Sequence, residues 1–189
     1  TNSDVGSHSV TITVVDAAGA TGTQTFTITV ANTNDAPSIS STAVTAVDED
    51  SAYSYSITTS DVDAGDSAAI TCSCPSWITL TDNGDGTGTL AGTPTNDDVG
   101  SNSVTLTVTD GSSATGTQTF DVVVTNTNDA PTISSTAVVS VDEDSAYSYT
   151  TTASDVDAGD TVTLTCTTVP TWMTCTAGAL SGAPTNDEV

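Results

Sequence analysis

Asp61-Val62-Asp63 sets two carboxylates two positions apart, and Asp155-Val156-Asp157 does so again later in the chain. In an extended backbone residues i and i+2 point to the same side, so each pair aims both carboxylates at one place. Further oxygen donors surround them in sequence. Other Asp, Glu and Asn residues stand before, between and after the two pairs. Carboxylates and amide oxygens in such number are the donor set of a hard divalent cation. Ca²⁺ takes 6–8 oxygens, whereas Mg²⁺ tends to keep its waters, so Ca²⁺ is the expected ion.

Charge makes the same demand. The 189 residues include 24 acids, no Lys or Arg and one His, a formal net charge of −24. Two like charges 4 Å apart repel by about 1 kcal/mol in water and by about 4 kcal/mol near a protein surface. With no cationic side chain except His8, a fold that gathers carboxylates must import its cations. Phosphate recognition needs Lys or Arg, which argues against nucleic acid and disfavours an anionic membrane surface as partners. No apolar run reaches the roughly 18 residues that span a bilayer, and no signal peptide is present; in a secreted protein the targeting segment would lie outside this sequence.

The donors sit in a repeat. Asn34-Asp35-Ala36-Pro37 returns as Asn128-Asp129-Ala130-Pro131, an offset of 128 − 34 = 94. Asp48–Tyr55 returns at Asp142–Tyr149, Asp61–Asp66 at Asp155–Asp160, and Thr1–Ser7 at Thr95–Ser101, all at that offset. Near the end the offset falls to 184 − 94 = 90, because the last repeat lacks Asp82-Asn83-Gly84-Asp85-Gly86. The expected organisation is therefore residues 1–33 as the back of one repeat, 34–127 as a complete repeat and 128–189 as the front of another. Neither partial unit is expected to close a sandwich alone. Two explanations fit: a window on a longer array, or a front half completed by the back half of another chain. Thr185–Val189 echoes the opening Thr1–Val5, as the first explanation requires.

Strands must position these donors. Val10, Ile12 and Val14 alternate with Thr, as do Phe26, Ile28 and Val30; Val104, Leu106, Val108 and Phe120, Val122, Val124 repeat both patterns. Tyr53, Tyr55 and Ile57 alternate likewise. Period two predicts half-buried strands, and Gly, Asn and Asp clusters separate them. About seven short strands in 94 residues predict an all-β, immunoglobulin-like Greek-key sandwich.

The order of the acidic motifs resembles cadherins. Asn32-Thr33-Asn34-Asp35-Ala36-Pro37 is similar to the linker D-x-N-D-N-A-P, with Asn for the first Asp and the second Asn deleted; Asp61–Asp66 resembles D-x-D-x-G-x-N. Glu49 stands where cadherins carry a Glu, Asn96-Asp97-Asp98 where they carry D-R-E, and Asp110 at their late Asp. The nearest resemblance is to bacterial cadherin-like and dystroglycan-type tandem repeats of large surface proteins. It implies an elongated rod with Ca²⁺ shared at each junction. At the first junction Asn2, Asp4, Asn32, Asn34, Asp35, Asp61, Asp63 and Asp110 would contribute. At the second, Glu49, Asn96, Asp98, Asn126, Asn128, Asp129, Asp155 and Asp157 would do so, with Glu143 repeating the role of Glu49 one unit on. The departures from the linker pattern leave the ion count between one and three.

Other features have plainer readings. Asp82–Gly86 is expected to be a hairpin turn rather than a Ca²⁺ loop, because the last repeat dispenses with it. Trp77 and Trp172, each two after a Pro, are expected in the core, with carbohydrate stacking as the alternative. Cys166 and Cys175 flank a ten-residue stretch that a disulfide can close, worth about 2.5–3 kcal/mol in the chain-entropy account. Cys72 and Cys74 are too far apart to bridge in a regular strand, so they need a distorted turn, a partner on another chain, or stay reduced. The expected role is a structural or adhesive, non-enzymatic repeat of an extracellular filament or prokaryotic cell surface. Its partners would be neighbouring repeats, identical chains, or a cell-surface or glycan ligand. The alternative is a carbohydrate-binding or spacer module of a secreted enzyme.

Overall fold

The structure is a computed structural model that describes residues 1–63 and 68–186; Asp66 and the closing Asp187–Val189 lie outside the described residues. The chain divides into two compact units, Thr1–Thr125 and Asn126–Val189.

In the first unit, β1 (Gly6–Val15) and β2 (Thr21–Val30) form a two-stranded hairpin. There follow β3 (Ser38–Ile39), β4 (Ala46–Asp48), β5 (Tyr53–Ser60), β6 (Ala69–Ser73), β7 (Ile78–Asp82), β8 (Thr87–Gly92), β9 (Gly100–Thr109) and β10 (Thr115–Thr125). These make two four-stranded sheets, ordered β3-β5-β8-β7 and β4-β10-β9-β6. The chain changes sheet at every step from β3 to β7 and again from β8 to β9, as in an immunoglobulin-like sandwich. All pairings are antiparallel except β4 with β10.

The alternation in sequence is the alternation of faces. Val104, Leu106 and Val122 on one sheet meet Tyr53, Tyr55, Ile57 and Leu90 on the other, with Ile70 and Ile78 closing the core. Burying each such aliphatic side chain is worth about 1.5–3 kcal/mol. Trp77 lies against this core, its ring edge-on to Tyr53 at 5.5 Å and its Nε1–H donated to Asn102 Oδ1 at 3.2 Å, the packing role expected for it. Gly92 makes that approach possible: a Cβ there would collide with the Trp77 carbonyl oxygen, which is backbone and cannot swing away. Gly92→Ala is therefore expected to cost about 1–3 kcal/mol, read as a lower urea midpoint with an unchanged slope.

The loop between β7 and β8 is a hairpin turn, as its sequence predicts. Asp82 Oδ1 accepts from Gly84 N at 3.0 Å, and Asp85 Oδ1 accepts from Thr87 N at 3.0 Å and Thr87 Oγ1 at 2.6 Å. Cys72 is still paired within β6, whose pairing ends at Ser73, and Cys74 already lies beyond the strand. That break brings their Cα atoms to 5.4 Å, and the two are disulfide-bonded, so the distorted-turn alternative holds.

The second unit contains β11 (Thr132–Ile133), β12 (Tyr147–Thr150), β13 (Ala153–Ser154), β14 (Met173–Thr176) and β15 (Ala179–Gly182). They form a sheet ordered β12-β15-β14 and the short pair β11-β13. Here β14 and β15 join through Ala177-Gly178, both at positive φ (49° and 79°), the two-residue turn that matches strand twist. Cys166 and Cys175 are disulfide-bonded as expected, with Cα atoms 6.3 Å apart.

Candidate metal centre

In the first unit the linker residues and the Asp61–Asp63 pair come together. Asp63 is buried, and its Oδ2 accepts from the Asp35 backbone N–H at 2.6 Å. Its own N–H is donated to Asp61 Oδ1 at 2.8 Å, which ties the two members of the Asp-x-Asp pair together. Asn2, 61 residues away in sequence, donates its amide to Asp63 Oδ1 at 3.1 Å and to Asp35 Oδ2 at 3.3 Å. Asn34 donates to Asp110 Oδ2 at 2.8 Å.

Asp110 begins the turn between β9 and β10, where its Oδ1 accepts from Ser112 N and Ala114 N at 2.9 and 2.8 Å. The Asn34 amide, helped by these backbone N–H groups, holds its carboxyl below the usual value of 3.8. A lowered value in the fold means that its stabilising contribution is present above that pH and is lost as pH falls through the lowered value.

The cluster thus consists of Asn2, Asn34, Asp35, Asp61, Asp63 and Asp110. Asn amides donate into carboxylates where no Lys or Arg exists to do so. Asp61 Oδ2 is buried without a hydrogen-bond partner. An orphaned buried carboxylate oxygen is costly, and a cation is the natural partner for it. Turning an Asn amide over would present its Oδ1 in place of N–H, adding an oxygen donor of the kind Ca²⁺ takes, although among the described residues no three carboxylates of this unit bring their oxygens within 4.8 Å of one another.

Two of the expected donors are engaged locally. Asp4 Oδ2 accepts from Thr1 Oγ1 at 2.7 Å, and Asp98 Oδ2 accepts from Thr95 N and Oγ1 at 2.9 and 3.0 Å. Each closes one turn of 3-10 helix, Asn2–Asp4 and Asn96–Asp98. Asn32 is exposed. Asn96 is half-buried, and Glu49 is 1% exposed, its N–H donated to Thr125 O at 2.9 Å beside the end of β10.

The second unit repeats the linker geometry. Asp129 N–H is donated to Asp157 Oδ2 at 2.7 Å, and Asp157 N–H to Asp155 Oδ1 at 3.0 Å. Asn128 donates to the Asp129 carbonyl at 2.8 Å, and Asn126 is exposed. Asp157 is buried and its Oδ1 has no hydrogen-bond partner. Carboxylate oxygens of Asp155, Asp157 and Asp160 lie within 4.8 Å of one another. Asp160 was not among the expected ligands, although it is the third acid of the Asp-Val-Asp-Ala-Gly-Asp run. At the far end of the unit the Asn186 amide, oriented to satisfy its bonding, donates to both oxygens of Glu143.

Residues 36–125 and 130–189 match the family profile described as "Putative Ig domain". The chain belongs to the He_PIG family. Its He_PIG fold is that of cadherin ectodomains. The first five extracellular domains of protocadherin gamma B2 align at TM-score 0.62 and 16% identity over 96% of this chain and 40% of that one. The protocadherin gamma B4 ectodomain aligns at 0.59 and 19% over 96% and 33%. An endo-fucoidan hydrolase of glycoside hydrolase family 107 is 26% identical over 98% of this chain and 30% of its own, at TM-score 0.44. The He_PIG chain thus spans less than half the length of each of these proteins. No curated protein sequence matches it.

Proposed function

We propose that this chain is a non-catalytic, extracellular structural repeat whose linkers bind Ca²⁺ and are stiffened by it. The observation that carries this reading is the pair of buried, unpartnered carboxylate oxygens, Asp61 Oδ2 and Asp157 Oδ1, each inside an acidic cluster of a chain with no Lys or Arg. The cadherin-like fold and the two disulfides agree with it, since disulfides persist in oxidising compartments.

In the first unit, Asp35, Asp61, Asp63 and Asp110 would hold the ion, with Asn2 and Asn34 turned to offer oxygen. Bound there, calcium cancels the mutual repulsion of the carboxylates and ties the Asn2 turn, the linker and the Asp61–Asp63 segment together. Three segments far apart in sequence then move as one body, which is how a string of domains becomes a rod able to project an adhesive or filamentous structure.

Calorimetric titration of Ca²⁺ into the metal-free chain at low salt should show saturable binding. Asp63→Asn and Asp157→Asn should each weaken part of it about tenfold, the effect of losing roughly 1.4 kcal/mol. A chain that takes up no heat and no ion sinks the reading.

A further inference from the structure

The turn between β7 and β8 holds a motif that the metal-binding linkers do not use. Asn83-Gly84 is the one place in the sequence where Asn precedes Gly; every other Asn precedes Ser, Thr or Asp. Glycine has no Cβ, so its backbone nitrogen can approach the side-chain carbon of the residue before it. Both residues are exposed, and a Cβ at Gly84 would meet nothing within 4 Å, so the space in which a ring would close is open. The groups that would react are also held in place. Gly84 N–H is donated to Asp82 Oδ1 at 3.0 Å, and an anionic acceptor on that hydrogen adds electron density to the nitrogen. Asp82 is itself anchored, since its Oδ2 accepts from Ile70 N at 3.0 Å. The Asn83 amide is donated to Thr87 Oγ1 at 2.8 Å, and the Thr87 hydroxyl in turn donates to Asp85 Oδ1. Asp85 precedes Gly86 in the same turn but is not equivalent. The Thr87 hydroxyl holds its carboxyl below the usual value, and an ionised carboxylate does not accept a nucleophile.

We propose that Asn83 is a self-modification site, at which the Gly84 backbone nitrogen attacks the Asn83 side-chain carbonyl carbon and displaces its amide. The bond from Gly84 N to Asn83 Cγ forms and the Cγ–Nδ2 bond breaks. The hydrogen of the Gly84 nitrogen leaves with Nδ2, which departs as ammonia. Water, present around this exposed turn, then opens the cyclic imide at either carbonyl and leaves aspartate or its β-linked isomer at position 83. Holding nucleophile and electrophile side by side is what makes such a step fast enough to matter without an enzyme. The product alters the turn. A carboxylate has no N–H to give Thr87 Oγ1, whose single hydrogen is already committed to Asp85, and it adds a third acid beside Asp82 and Asp85. The β-linked isomer also lengthens the main chain by one carbon inside a turn closed by Asn83 N–H donated to Thr87 O at 3.0 Å and by the pairing of Asp82 with Gly88. Strand β7 is the edge of its sheet and pairs with β8 alone, so a loosened turn releases β7 first.

The test is mass spectrometry of the full chain aged for weeks in warm, mildly alkaline buffer. The folded protein should gain one mass unit and one negative charge, and release one equivalent of ammonia. Fragment masses should place the change at position 83, and an isoaspartyl methyltransferase should label the aged chain but not the fresh one. Hydrogen exchange of the β7 amides should be faster in the aged chain. Asn83→Gln keeps a carboxamide at this exposed position but would have to close a larger ring. That variant should melt with the same midpoint as the unaltered chain and stay unlabelled over the same time. The proposal is overturned if the mass does not change, if the change maps to another asparagine, or if Asn83→Gln is modified at the same rate.

Discussion

Moving the chain from millimolar Ca²⁺ into a chelator is expected to lower its melting midpoint by about 10 °C. A ligand at a hundred times its dissociation constant stabilises the fold it binds by about 2.7 kcal/mol. For a chain of this size each kcal/mol moves the midpoint by about 2–4 °C. Loss of the ion is worse than loss of its binding energy alone, because Asp61 and Asp157 keep buried oxygens with nothing to neutralise them. Sodium chloride added to the chelated chain should recover part of the loss by screening the exposed acids, but little of the part arising from buried ones. Mg²⁺ should be a poor substitute, since it gives up its waters reluctantly. Melting curves that superimpose with and without calcium would falsify the metal-based account of the linkers.

The sequence exposes the sandwich because its strands are half-buried, and half-burial writes a period of two. Val104, Leu106 and Val108 could be placed on an inner face from that period alone. The same period could not distinguish them from Val10, Ile12 and Val14, which share the pattern but lie on a hairpin with an open face. Alternation records what a strand is suited to bury, not whether its partner is present. The linker cluster was legible for a different reason: Asp-x-Asp, Asn-Asp-Ala-Pro and the late Asp110 are local signals repeated at 94 residues. What escaped was competition for the same oxygens. Thr1-x-x-Asp4 and Thr95-x-x-Asp98 also spell a capping turn, and in the fold that short-range bond claims one oxygen of each Asp. The Cys72–Cys74 bridge stayed one of three alternatives in the sequence because the distance rule assumes a continuous strand, whereas β6 stops between them at Ser73.

The same substitution in the two units is expected to cost very different amounts. Leu90 is fully buried between the sheets, so Leu90→Ala removes several methylene contacts and leaves a cavity that the disulfide-tied, closely packed surroundings cannot fill. A cost of about 3 kcal/mol follows, enough to lower the midpoint of a sandwich of this size by about 15 °C. Leu180 occupies the same position on β15, paired with Tyr149 as Leu90 is with Tyr55, but it is only half-buried. In dilute chain Leu180→Ala should cost about 1 kcal/mol or less, because water already reaches much of the side chain. Thermal melts of both variants in dilute solution make the comparison. A Leu180→Ala penalty as large as that of Leu90→Ala would mean that the second unit packs as a closed core by itself.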